Sequence, residues 1–216
     1  MADEGITPPH YEFSEKYDIE HARRYFHKHN TGFWRRLSTW REVGMARKAL
    51  AMAGQPRSVL DLPCGTGRFW SMLAEEKDRR IYVADNSQSM IDAGLELRPR
   101  DVVARIEKSF CCSAFATGLP DNFVDCVFSI RLLHHIEKSE DRIAMLKEFA
   151  RISSGTVIVS LWVDGNFRAW RSEINDARKA RVRGADRPRD RFVFKRADIE
   201  RDFAAVQGAI LVIVAG

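Results

Sequence analysis

No run of apolar residues in this 216-residue chain is long enough to cross a bilayer. The first residues, Met1-Ala2-Asp3-Glu4-Gly5, carry neither the basic region nor the hydrophobic stretch of a signal peptide. Both absences point to a cytoplasmic location. Cysteine is scarce: Cys64, Cys111, Cys112 and Cys126 are the four, with no C-x-x-C pair and no His/Cys spacing suited to zinc. Neither a disulfide framework nor a metal centre is expected. No recognised RNA-binding module is present, and aromatics scarcely interleave the basic residues beyond Phe192 and Phe194.

What is present suits one α/β domain with a decorated edge. Hydrophobic residues make up 45% of the chain, enough for a packed core and too many for a disordered one. The net charge is +5. From Asn166 to Arg201 there are twelve Lys/Arg against six Asp/Glu, so this stretch alone accounts for the positive balance. Arginines near a pocket favour anionic partners through paired hydrogen bonds; a solvated arginine-rich face is the plainer reading.

The chain is organised around Val59-Leu60-Asp61-Leu62-Pro63-Cys64-Gly65-Thr66-Gly67-Arg68-Phe69. The apolar run predicts a strand buried on both faces. Gly65 and Gly67 permit positive φ and leave a ligand unobstructed. A helix from Gly67 to about Lys77 is expected next, its first N–H groups free. A nicotinamide or flavin site would require a third small residue, and Trp70 stands in its place. Ile81–Asp85 reads as the second strand. Asp85 ends it about 20 residues past the glycines, the spacing that suits a grip on ribose hydroxyls. Ser87 is then an expected N-cap, with Met90, Gly94 and Leu95 at helical spacing.

By these residues the chain resembles class I S-adenosylmethionine-dependent methyltransferases of the methyltransferase domain 11 type. The glycine segment is similar to their E/D-x-G-x-G motif, and Asp85-Asn86-Ser87-Gln88-Ser89-Met90-Ile91 to D-x-S-x-x-M-[LI]. Cys112-Ser113-Ala114 through Asp125 is similar to D-A-x-x-L-P-F-x-D-x-S-F-D at Ala114, Leu119, Pro120 and Asp125. Leu133-His134-His135-Ile136 matches L-H-H-[LIV]. The similarity runs from Arg57 to Trp162. It implies a doubly wound, mostly parallel α/β sheet, the Rossmann-like methyltransferase fold, and S-adenosyl-L-methionine as cofactor. That molecule has no pyrophosphate, so Trp70 is no obstacle to it. The implied cofactor-binding set is Asp61, Cys64, Gly65, Gly67, Asp85, Asn86, Met90, Ser113, Ala114 and Arg131. Ser113 replaces the aspartate that in the family meets the adenine amine; its hydroxyl can still accept one hydrogen bond. His134 and His135 are the candidate general bases, at the expected rim of the sheet and with a side chain that titrates near neutrality.

Two regions are expected: an N-terminal tail and helical cap over 1–55, and the methyltransferase domain over 56–216 with a basic helical insertion at about 164–191. In the cap, a helix from Asp18 and a second from Phe33 to Ala53 should bury Leu37, Trp40, Met45, Ala49 and Met52. In the resembled family such N-terminal helices help shape the acceptor pocket, which makes Tyr25, Trp34, Arg35 and Trp40 candidates for that role. The third strand is expected within Val102–Phe110, the fourth at Val124–Ser129, and the fifth at Thr156–Trp162. Between the last two, a helix capped by Ser139 should bury Ile143, Leu146, Phe149 and Ile152. Asp198–Val206 is expected as a last helix and Ala209–Ala215 as the sixth strand, with no sequence for the family's seventh. The expected activity is methyl transfer to a small-molecule or lipid acceptor, with an anionic one favoured by the arginines. A non-catalytic or truncated cofactor-binding protein, and an RNA methyltransferase gripping through the arginines, are the alternatives. Nucleic acid is the less favoured partner.

Overall fold

The structure, a computed structural model, describes residues 33–161, 192–206 and 210–215, with side chains in 39–161 and 192–206. The expected helix from Asp18, Tyr25 and the basic insertion lie outside the described residues, as do the side chains of Trp34, Arg35 and Leu37.

Six strands form one sheet: β1 (Ser58–Asp61), β2 (Arg80–Asp85), β3 (Ile106–Cys111), β4 (Val124–Ser129), β5 (Ser153–Leu161) and β6 (Ile210–Ala215). Their order is β3-β2-β1-β4-β5-β6, and every pairing is parallel. The doubly wound sheet expected from the sequence is therefore present, with no seventh strand among the described residues. Strand order reverses between β1 and β4. The chain leaves these neighbours in opposite directions, which opens a crevice at their carboxyl ends.

Alternation along the strands builds a core on each face. Val59, Ile81, Val83, Cys126, Phe128 and Ile158 pack on one side. Leu60, Val127, Val157 and Val159 pack on the other. On the first side lie α1 (Phe33–Met52), α2 (Trp70–Leu73), α3 (Gln88–Leu97) and α4 (Arg100–Val103). On the second lie α5 (Ser139–Ile152) and α6 (Arg196–Ala204). Fully burying an aliphatic or aromatic side chain contributes about 1.5–3 kcal/mol.

Several elements differ from expectation for local reasons. The helix after the glycines is one turn long, because positive φ at Gly67 keeps the preceding residues in turns. Residues expected to open β3 instead form α4, with Pro99 as its N-cap. Ser87 sits at the start of α3 but makes no capping bond; its N–H is taken by Asp85. Ser139 lies inside α5, and its hydroxyl donates to Asp202 on α6.

Helix α1 buries only part of the expected stripe, Ala49 fully and Met45 in part. Ala46, Ala49 and Leu50 are buried, whereas Trp40 and Met52 are 71% and 77% exposed. Small residues let the helix approach the sheet, and the predicted stripe of larger ones is split between core and solvent. On α5, Arg142 and Met145 are buried beside Leu146, Phe149 and Ile152, and Ile143 is only half-buried. Arg142 is neutralised by Asp202, Nε to Oδ2 at 2.7 Å and Nη2 at 2.6 Å, and lies 4.5 Å over the Phe194 ring. This buried pair locks α6 onto α5.

Candidate functional site

At the carboxyl end of β1 the chain turns through Leu62–Phe69. The turn is pinned to both neighbouring strands: Leu62 N–H donates to Phe128 O (3.0 Å) and Cys64 N–H to Ala84 O (2.8 Å). Gly65 and Gly67 have φ of +53° and +73°, where a side chain costs about 1–2 kcal/mol. Their surroundings differ. A Cβ on Gly65 would meet only the Met90 methyl, at 3.7 Å; one on Gly67 would lie 2.4 Å from the Trp70 ring. Gly65 keeps the turn bare toward the crevice, and Gly67 makes room for Trp70.

Asp85 ends β2 and faces this turn. Its Oδ2 accepts from Gly65 N–H at 2.9 Å and its Oδ1 from Ser87 N–H at 3.0 Å. A 20-residue spacing in sequence becomes a direct contact. Each carboxylate oxygen retains a further acceptor direction. Burial raises the Asp85 carboxyl above its ordinary pKa, and the N–H groups of Ser87, Gly65 and Asn86 pull it back.

Asp61 is 1% exposed, and its Oδ2 has no hydrogen-bond partner among the described residues. Burial, and then the charge of Asp85, push its carboxyl well above the usual range; the Trp70 indole N–H acts in the opposite sense. No ion pair among the described residues reaches either aspartate. Two buried acids side by side, one with an open acceptor, form a site that favours a donor-rich or cationic ligand. The acceptor set and bare turn therefore fit an adenosyl ligand bearing an ammonium or sulfonium group.

Cys64, Cys112 and Cys126 do not offer a nucleophile. Burial and the charges of Asp85 and Asp61 drive the Cys64 thiol well up. Burial takes Cys112 to about 11 and Cys126 to about 12. Protonated thiols are inert at neutral pH. No group of three or more His, Cys, Asp or Glu among the described residues is placed to hold a metal.

Ser113 and Ala114 begin the loop after β3. Cys112 N–H donates to Asp85 O at 3.0 Å, which places this loop beside Asp85. The Ser113 hydroxyl already accepts from Phe115 N–H at 3.2 Å, leaving one acceptor direction. The loop is tethered to α5, where Glu148 accepts from the Thr117 N–H (2.8 Å) and hydroxyl (2.6 Å) and pairs with Arg151.

On the β4 side of the crevice, Arg131 holds φ of +70°. Its N–H donates to Ser160 Oγ at 2.7 Å. Its guanidinium lies 3.9 Å from Glu42 of α1, which also pairs with Arg68 at 2.9 Å. Thr39 accepts a second bond from Arg68. The cap helix is thus tied to both lips of the crevice. His134 and His135 follow in a 3-10 turn, ring centroids 4.3 Å apart; His134 is buried and His135 half-buried.

The fold gathers Asp61, Cys64, Gly65, Gly67, Asp85, Asn86 and Met90 around one turn, with Ser113 and Ala114 adjoining. Arg131, His134 and His135 stand across the crevice. Trp40, expected at an acceptor pocket, faces solvent. The sequence did not reveal Trp70, Arg68 or Glu42 as parts of the site. Trp70 was legible as a bulky residue in a small residue's place; Glu42 had no local signal.

Comparison with known proteins bears on the family and the fold. Residues 60–159 match the family model described as a methyltransferase domain. The chain is 26% identical over 160 residues to the tRNA (carboxymethyluridine(34)-5-O)-methyltransferase of Mus musculus, covering 72% of this chain and 22% of that protein. It is 26% identical over 144 residues to the Xenopus tropicalis protein of that name, covering 65% and 21%. The chain thus spans about a fifth of the length of these curated relatives. Among solved structures, magnesium protoporphyrin IX methyltransferase from Synechocystis, with bound S-adenosylhomocysteine, superposes with a TM-score of 0.54 at 17% identity, covering 87% of this chain and 88% of that one. Geranyl diphosphate C-methyltransferase from Streptomyces coelicolor does so with a TM-score of 0.53 at 17% identity, covering 76% and 56%. At these identities the two structures speak for the fold.

Proposed function

Residues 60–159 form a methyltransferase domain of the class I S-adenosylmethionine-dependent family, and from that premise we propose that this chain methylates an anionic acceptor. The observation that carries the cofactor site is Asp85, seated on the Gly65 N–H with acceptor capacity to spare. Asp85 holds the ribose hydroxyls. Asp61 and the Gly65–Gly67 turn receive the methionine end, with Arg131 on the opposite lip. Met90 walls the site. Ser113 and Ala114 meet the adenine, Ser113 through its remaining acceptor direction.

Bound S-adenosylmethionine supplies an already activated methyl group. The protein's part is proximity and alignment for in-line displacement. Where the acceptor must lose a proton, His135 is the base: it is half-buried at the β4 rim, with the buried His134 ring packed beside it.

The acceptor class follows from charge. The net charge of +5 and the arginine-rich stretch favour an anion. A carboxylate- or phosphate-bearing small molecule or lipid is the first reading. RNA is the second, favoured by the two relatives named above, both named as tRNA methyltransferases acting at a carboxymethyl-bearing uridine. Incubation with radiolabelled donor and fractionated extract separates them by which fraction takes label. RNA affinity that ignores ionic strength would remove the second reading. Binding of S-adenosylhomocysteine with no labelled fraction would leave a cofactor-binding protein without catalysis. No binding at millimolar S-adenosylhomocysteine would end the cofactor assignment.

A further inference from the structure

Two guanidinium groups, one on each lip of the crevice, face a single carboxylate oxygen. Arg68, after the glycines, donates from Nη1 to Glu42 Oε2 at 2.9 Å and from Nη2 to Thr39 Oγ1 at 2.9 Å. Arg131, after β4, brings Nη1 only to within 3.9 Å of that same Oε2, outside hydrogen-bond reach. Two positive charges therefore meet one negative charge, and the shared oxygen is already bonded to Arg68. Among the described residues the Arg131 guanidinium makes no hydrogen bond and has no other ion pair. A guanidinium carries five N–H donors in a planar fork. This one is half-buried, its side chain 25% exposed, so its charge is less screened than one in open solvent.

The backbone beneath it is unusual as well. Arg131 holds φ of +70°, an angle at which any side chain is strained. Ser160 of β5 fixes it there by accepting its N–H at 2.7 Å. Strain of this kind persists where the surroundings over-determine it, and it collects at ligand sites. The same segment runs on into the Leu133–His135 turn, so this arginine and the proposed base leave one strand together.

Resting on the anionic-acceptor reading, we propose that Arg131 is a specificity-determining residue: its unbonded fork takes the acceptor's oxyanion, a carboxylate or a phosphate, at the rim of the cofactor crevice. Arg68, Thr39 and Glu42 form the clasp that holds the cap helix, and Arg131 is the part of the cluster left open. An oxyanion there gains paired, charge-assisted hydrogen bonds. Glu42, at 3.9 Å, competes with it for the same charge.

The test is titration of the full chain, saturated with S-adenosylhomocysteine, by acetate and by inorganic phosphate at constant ionic strength. The readouts are the Arg131 Nε–H resonance, identified by its absence from Arg131→Gly, and the backbone N–H resonances from Ile130 to His135. These should shift and saturate with at least one anion, and the tighter of the two names the acceptor's group. Arg131→Lys keeps the charge without the fork and should weaken binding on the order of tenfold, the loss of one charge-assisted hydrogen bond. Glu42→Gln removes the competing charge and should tighten binding by up to about fivefold, the range of a partly exposed ion pair. Arg131→Gly relieves the left-handed angle, so it should melt no lower than the unmodified protein while losing the anion response. An arginine that only braced the cap would lower the melting temperature and leave anion binding in place, which would overturn the proposal. So would resonances that move with S-adenosylhomocysteine and then with neither anion, since Arg131 would then serve the cofactor's own carboxylate. An uncharged acceptor in the labelled fraction would strike the anionic reading and the proposal with it. An anionic acceptor with unchanged KM in Arg131→Gly would strike the proposal alone.

Discussion

Replacing Asp85 by alanine is the sharpest test of the site. The carboxylate accepts two backbone N–H groups, from Gly65 and Ser87. Each charge-assisted bond contributes about 1.5–3 kcal/mol, but removing a 5%-exposed carboxylate also relieves its desolvation. The net cost to stability should be about 1–3 kcal/mol, within what a folded domain tolerates. Binding loses more. Two ribose hydroxyls each forfeit a charge-assisted acceptor, together about 3 kcal/mol or more, or roughly 100-fold in affinity. Asp85→Asn should fall between, because one amide oxygen can serve only one of the two N–H groups well. The assay is calorimetric titration with S-adenosylhomocysteine at neutral pH, with a thermal melt to establish folding. A folded Asp85→Ala protein that binds within about threefold of the unmodified one would refute the assignment of ribose contact to this residue.

Other consequences follow from particular contacts. Gly67→Ala should destabilise by about 3–5 kcal/mol, from positive φ and collision with Trp70, whereas Gly65→Ala should cost about 1–2 kcal/mol from backbone strain alone; chemical denaturation distinguishes them. Asp202→Asn leaves Arg142 buried without its counter-charge and should cost about 3–5 kcal/mol, read in the same experiment. Asp61 has a folded-state pKa raised above its unfolded one, so the native state holds the proton more tightly. Its contribution to stability is therefore present below the ordinary carboxylate pKa and lost as pH rises through the raised value. Asp61→Asn should be near neutral in acid and increasingly stabilising toward neutral pH, in melts of the ligand-free protein. His135→Ala should lower the rate of methyl transfer while leaving S-adenosylhomocysteine affinity unchanged; an unaltered rate would remove it as the base.

Local chemistry made much of this protein legible. Short apolar runs ending in Asp61, Asp85 and Ser129 announce buried parallel strands, because strands covered on both faces need no polar side. Two glycines and a distant aspartate announce a contact at the rim of the sheet, since a bare turn and an acceptor at that separation meet only when β1 and β2 are neighbours. Both expectations needed nothing beyond chain order and strand length. Helix faces were harder to read. Along α1 the larger residues suggested one stripe, but the helix buries the side that lets it come closest to the sheet, which is the side of Ala46 and Ala49. Helix length after the turn was equally hidden, because it depends on the left-handed angle that Gly67 adopts to admit Trp70. The sequence determined the sheet, its crevice and the residues at its edge. Tertiary packing alone decided that Glu42, distant along the chain, would join Arg68 to Arg131, and that the Trp70 indole would pass between Gly67 and Gly94. Contacts of that kind depend on how elements approach one another in space, and no spacing within the chain encodes them.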